Sequence, residues 1–186
     1  DDNPARVGRS ATILSFHATK ALACGEGGAI LSMDEDLLAR AAASLNFGFA
    51  GVRETSMPGF NGKMSEFNAA LGLLQLQHIN QALVRRKEIH DTYRGQLADV
   101  KGIHCLDDAG EKTPNYAYFP ILVQPDYPLS RDELYEKLKQ HQIFARRYFY
   151  PLISEFPMYR GMSSAKRGNL AVASEAAQQV LCLPIY

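Results

Sequence analysis

Short apolar runs, separated by glycine-rich or acidic stretches, set the rhythm of this chain. Thr12-Ile13-Leu14 reads as a short buried strand leading into Ser15-Phe16-His17-Ala18-Thr19-Lys20. After the turn Gly25-Glu26-Gly27-Gly28, Ala29-Ile30-Leu31 reads as a second strand. Two strands joined by a glycine-rich loop predict a sheet with its working residues on a loop. Residues 34–45 follow a helical period, with acidic residues in the first turn and Leu37, Leu38, Ala41 and Leu45 on one face. Residues 46–63 contain several glycines and a proline, too many breakers for a regular element, and predict a long loop.

Ser65 and Glu66 open a helix whose apolar face takes in Phe67, Leu71 and Leu74, and a second helical stretch covers 79–97. Further on, 118–123 and 143–146 read as strands, and 130–140 and 169–180 as helices. Arg131, Asp132 and Glu133 occupy the first turn of the helix at 130–140. Strands alternating with helices indicate α/β or α+β architecture. The expected domain boundary lies near residue 79, giving domains 1–78 and 79–186. No internal repeat or low-complexity segment is visible.

Composition narrows the function classes. The 186 residues are 46% hydrophobic and 22% charged with a formal net charge of zero, which gives no electrostatic reason for a nucleic-acid partner. No apolar run approaches the length of a membrane span. Cys24, Cys105 and Cys182 are odd in number and widely spaced, without a C-x-x-C. They predict buried thiols in a reducing cytoplasm rather than a disulfide framework, and no metal site. The chain opens at Asp1 without Met and stops at Tyr186, just past the apolar stretch Val180-Leu181-Cys182-Leu183, so both ends read as cut.

Lys20 is the first candidate for chemistry. It follows a strand, sits among small residues and precedes a glycine turn where a ligand can approach the backbone. A partly desolvated lysine has a depressed pKa, and its free amine is available for Schiff-base formation. A surface lysine on a connecting loop fits the same spacing. By residue type alone, Ser15 suits a backbone partner at a strand end, Asn61 a turn, and His17 a hydrogen-bonded structural role. Glu26 reads as a loop residue, and Tyr148 and Tyr150 either line a pocket or pack. No Gly-Lys-Ser/Thr follows Gly25 to Gly28, so a nucleoside-triphosphate loop fails on pattern.

Three segments in order carry a resemblance. Ser15-Phe16-His17-Ala18-Thr19-Lys20 followed by Gly25-Glu26-Gly27-Gly28-Ala29 resembles the cofactor-lysine motif of the DegT/DnrJ/StrS family of pyridoxal-phosphate (PLP) sugar aminotransferases. Asn61-Gly62-Lys63-Met64-Ser65-Glu66, leading to Ala69-Ala70-Leu71-Gly72, resembles its second signature, and Arg146-Arg147-Tyr148-Phe149-Tyr150-Pro151-Leu152 a third. The resemblance implies the type I PLP-dependent transferase fold: the end of a large α/β domain, then a smaller C-terminal α+β domain. It implies amino transfer, with glutamate as the expected donor, to a keto sugar linked to a nucleotide, through a Schiff base between PLP and Lys20. Ser15 would donate to the cofactor phosphate. Asn61 would reach the phosphate of the neighbouring subunit's cofactor, making the enzyme a homodimer with shared active sites.

The sequence also departs from the family pattern. Gly62 and Lys63 stand where Tyr and Arg are common, and Ile153 and Ser154 where a histidine often follows Tyr-Pro-Leu. The family's pyridine-binding aspartate belongs to an earlier motif than Asp1 and Asp2, so this polypeptide alone is expected to be inactive. Two other readings compete: a non-catalytic relative serving oligomerisation or sugar-nucleotide binding, and a PLP-dependent sugar dehydratase. In the dehydratase variant the family replaces the lysine by histidine, so Lys20 favours transamination.

Overall fold

Antiparallel pairing begins at once along the described part of the chain, which in this computed structural model comprises residues 11–49, 51, 54–107 and 114–186. Strand β1 (Ala11–Ser15) pairs with β2 (Gly28–Ser32) in a register running from Ala11 opposite Ser32 to Ser15 opposite Gly28. The expected burial of residues 12–14 is not met: Ile13 is 69% exposed and Leu31 40%. Short apolar runs identified the strands, but a two-stranded ribbon buries little of its own surface.

Helix α1 (Glu35–Leu45) starts where Asp34 Oδ1 accepts the Leu37 N–H at 3.0 Å, with Glu35 and Asp36 against the positive helix end. The glycine-rich stretch after it is folded back on the helix. Phe60 N–H donates to Ser44 O at 2.8 Å and Gly62 N–H to Leu45 O at 2.9 Å. Gly48 and Gly59 permit this return, since a Cβ on Gly59 would stand 2.1 Å from Gly48 N.

Where two helices were expected, a single helix α2 (Glu66–Leu97) runs for 32 residues. No glycine or proline interrupts Gln75 to Gln81, so nothing in the backbone forces a break. The chain divides into two compact units, Asp1–Asn80 and Gln81–Tyr186.

The second unit is a three-stranded antiparallel sheet in the order β3 (Ile103–Cys105), β4 (Phe119–Val123), β5 (Val180–Leu183). Alternation along β4 buries Phe119, Ile121 and Val123. Phe119 and Ile121 join Ala145, Leu181 and Ile185 in the core, with Ile89, Tyr93 and Leu97 of α2 packed against them. Helix α3 (Arg131–Gln140) adds Leu134 and Leu138 to that packing. It begins with a reciprocal capping box between Ser130 and Glu133.

Two expected elements differ. Residues 143–146 form no strand, and Arg146 only bridges to Cys182, with N–H to carbonyl distances of 2.9 and 2.7 Å in the two directions. The last helix, α4 (Ala171–Gln179), yields to β5 at Val180, because the apolar run Val180 to Leu183 pairs with β4 instead of prolonging the helix.

Candidate active site

Lys20 sits on a loop built as an extension of the first hairpin. Phe16 N–H donates to Gly27 O and Ala18 N–H to Gly25 O, each at 2.8 Å, while Cys24 N–H returns to Phe16 O at 2.8 Å. Lys20 N–H closes a turn on His17 O at 2.9 Å, and the residue is half-buried. Ser15 is the last residue of β1, and its Oγ accepts the His17 N–H at 3.4 Å.

His17 works inside the loop. Its Nδ1 accepts the Thr19 N–H at 3.2 Å and lies 3.0 Å from Thr19 Oγ1. Its Nε2 stands 3.7 Å from Glu26 Oε1.

The second motif docks on the first. Ser65 Oγ accepts the Asn68 N–H at 3.2 Å and also bonds Asn68 Oδ1, while Asn68 Nδ2 donates to Cys24 O at 2.6 Å. Three glycines make the approach possible. Gly25 has φ +86°, and a Cβ there would stand 2.9 Å from Asn68 Nδ2. A Cβ on Gly27 would stand 2.8 Å from both Cys24 Sγ and Met64 Cε, and one on Gly72 would lie 3.4 Å from Cys24 Cβ. The fully buried Cys24 is thus the point where the lysine loop meets α2. Its thiol donates to Glu26 O at 3.4 Å.

Asn61 is exposed and pairs with Asn46 in an isolated bridge. Lys63, to which the sequence assigned no role, donates to Asn46 Oδ1 at 3.1 Å and lies 4.3 Å from the Phe47 ring centroid. It fastens the loop that presents Asn61. A cavity of about 680 Å³ in this unit is lined by Glu26, Gly28, Leu45, Lys63, Ser65 and Asn68 among others; Ser15, Lys20 and Asn61 do not line it. Asp1 and Asp2 lie outside the described residues.

The third motif forms a separate cleft of about 400 Å³ in the second unit, walled by Tyr135, Arg146, Arg147, Tyr148, Phe149 and Tyr150. Arg146 donates to Tyr148 Oη, and the Tyr148 and Phe149 rings stack with centroids 4.6 Å apart. Arg147 Nη1 donates to Asp132 Oδ1 at 2.9 Å. Burial alone would raise the Asp132 carboxyl, but the bond from Arg147 and the charges of Arg131 and Arg147 outweigh it and hold it below the usual aspartate value. Both tyrosines singled out in the sequence therefore line this cleft.

The three cysteines are free thiols; Cys24 and Cys182 are buried and Cys105 is half-buried. Burial pushes the Cys182 thiol up to about 11 and raises Cys105 in the same direction. No group of metal-ligating side chains occurs among the described residues, and no helix among them is long and apolar enough to cross a membrane. Sequence reasoning missed Asn68 and Arg131. Asn68 had a signal, since it stands three residues after the helix-opening Ser65. Arg131 looked like an ordinary first-turn charge, yet it is buried.

Comparison with known proteins follows the same lines. The family model of the DegT/DnrJ/EryC1/StrS aminotransferases matches residues 3–186. The chain is 48% identical over 161 residues to dTDP-4-amino-4,6-dideoxy-D-glucose transaminase of Escherichia coli, covering 87% of this chain and 43% of that protein. DesI, solved in the presence of its TDP-sugar product, superposes with a TM-score of 0.83 at 36% identity, covering 94% of this chain and 44% of that one. DesV of Streptomyces venezuelae superposes with a TM-score of 0.86 at 29% identity, covering 96% and 47%. The chain spans about half the length of these relatives. Its fold is that of the type I PLP-dependent transferases. With the family model spanning nearly every residue, the chain belongs to the DegT/DnrJ/EryC1/StrS aminotransferase family.

Proposed function

We propose that this chain supplies the lysine-bearing part of a PLP-dependent nucleotide-sugar aminotransferase, which moves an amino group from glutamate to a keto carbon of a nucleotide-linked deoxysugar. The observation that carries the reading is the docking of the second motif on the loop that carries Lys20, through Asn68 on Cys24 and Gly27 against Met64. Such bracing suits a lysine that must be held in one place rather than one left on a solvated loop. Identity to the E. coli enzyme supports dTDP-4-amino-4,6-dideoxy-D-glucose as the amino sugar.

The groups present fit the cofactor. Lys20, Ser15 and Asn61 offer an amine, a hydroxyl and an amide, the chemistry that a PLP aldehyde and phosphate take up, and the half-buried lysine stands on a loop that ends in glycines. When bound, PLP supplies a carbonyl carbon to carry the amino group and a ring that accepts an electron pair. Lys20 Nζ would attach it and then, once released, take a proton from the amino-bearing carbon and return it. Ser15 Oγ would donate to the phosphate, and Asn61 would serve the site of a partner subunit. Exposed Phe47, Phe49 and Phe60 close to Asn61 in the chain support a partner at that loop. Three free thiols suit a reducing cytoplasm.

Glutamate-dependent conversion of the 4-keto dTDP-sugar by a full-length enzyme carrying this chain tests the proposal. Turnover should fall by at least about a thousandfold on Lys20→Ala. Undiminished turnover would end the assignment.

A further inference from the structure

We propose that Arg131 and Asp132 are positioning residues, which fix Arg147 and Tyr150 on the wall of the second-unit cleft so that this wall can grip the diphosphate of the nucleotide sugar. The inference rests on the nucleotide-sugar reading above.

Arg131 is only 3% exposed. Its Nη1 donates to Ala177 O at 3.0 Å and Val180 O at 3.1 Å, where α4 gives way to β5, and its Nε donates to Asp132 Oδ1 at 2.8 Å. The guanidinium lies 4.6 Å from the Tyr150 ring centroid, while its Nη2 is buried without a hydrogen-bond partner among the described residues. A buried cation with an unsatisfied donor is costly, and an apolar side chain would pack there more cheaply. What the arginine provides is geometry: one rigid plane that Tyr150 rests on and one N–H that orients Asp132.

Asp132 passes that orientation outward. The same Oδ1 accepts from buried Arg131 and from Arg147 Nη1 at 2.9 Å, and Arg147 lies 4.7 Å from the Tyr135 ring centroid and 5.8 Å from that of Tyr150. Two guanidinium groups sharing one carboxylate leave a net positive charge at the wall, next to Arg146. A planar guanidinium held at a fixed angle suits phosphate oxygens better than a mobile one.

The test separates geometry from charge. Removing an acid beside an anion site should, by Coulomb's law alone, tighten anion binding. Positioning predicts the opposite. In the full-length enzyme, Asp132→Asn should weaken dTDP binding, measured by calorimetry, and raise KM for the keto sugar nucleotide by about tenfold. The kcat and the KM for glutamate should stay within about twofold, and Asp132→Glu should restore part of the loss. Arg131→Lys, which keeps the charge but loses the fork, should shift the same constants in the same direction. Inorganic pyrophosphate should weaken in parallel with dTDP, whereas thymidine should not. Unchanged or tighter dTDP binding by Asp132→Asn, in an enzyme whose wild type turns over the sugar nucleotide, overturns this inference alone. A wild type that neither binds dTDP nor converts the sugar sinks the functional reading and this inference together.

Discussion

Asn68 Nδ2 donates to Cys24 O at 2.6 Å, so a side chain from the first turn of α2 holds the backbone of the lysine loop 44 residues earlier. Through that bond the second motif braces the first.

Asn68→Ala removes the donor and leaves the Cys24 carbonyl to find another partner. The half-buried bond should be worth about 1–2 kcal/mol of stability. The loss should concentrate in the loop from Phe16 to Gly27, where hydrogen exchange of the Ala18 and Cys24 amides should speed up more than exchange in the β3–β5 sheet. Equal acceleration in both regions would show that Asn68 supports the whole molecule and not this loop.

Glycine substitutions should separate sites that need glycine from those that do not. Gly25→Ala places a Cβ 2.9 Å from Asn68 Nδ2 at φ +86°, so it should destabilise by more than about 1 kcal/mol. Gly95, within α2, has open space around its missing Cβ, and Gly95→Ala should stabilise by about 0.5–1 kcal/mol. Thermal unfolding of the two variants beside the parent reads both signs.

The elements that the sequence revealed most clearly are those fixed by local chemistry. Asp34 capping α1, Ser130 capping α3 and the alternation along β4 each act within a few residues and need no distant partner. The glycines around Lys20 likewise marked a loop before any neighbour was known. What stayed hidden depends on distant packing. Ile13 and Leu31 look like buried strand residues, yet their exposure is decided by which layers lie beside them. Val180 to Leu183 has an apolar pattern that suits a helix end or a strand, and only pairing with β4 decides between them. Arg131 reads as a solvated charge until the carbonyls of Ala177 and Val180, far along the chain, close over it.

A shared active site predicts complementation between defective chains. Full-length Lys20→Ala and Asn61→Ala enzymes should each lose most of their activity as homodimers. If Asn61 serves the partner's cofactor, a mixed dimer carries one site with both residues intact and one with neither. Random exchange makes about half the dimers mixed, so recovery should approach about a quarter of wild-type activity. No recovery after unfolding and refolding the mixture would place Asn61 outside its partner's site.

Cys182 should make the second unit sensitive to alkaline pH. Burial raises its thiol from 9.0 to about 11, so the folded form holds its proton over a range where the unfolded chain has lost it. The sign follows from linkage. Below pH 9 the thiol is protonated in both states and its contribution to stability is full; as pH rises toward 11, ionisation favours the unfolded chain and the contribution is lost. A shift of about two units sets an upper limit of about 2.7 kcal/mol for the loss. Cys182→Ala cannot ionise, so its stability should fall less steeply across that range, although the lost packing lowers it at neutral pH. Alkylation gives an independent reading. The folded enzyme's Cys182 should resist iodoacetamide at pH 9 while the denatured chain reacts, and half-buried Cys105 should be modified before it. Rapid modification of Cys182 in the folded enzyme at pH 9, or parallel stability profiles for parent and Cys182→Ala, would show that its burial does not control its ionisation.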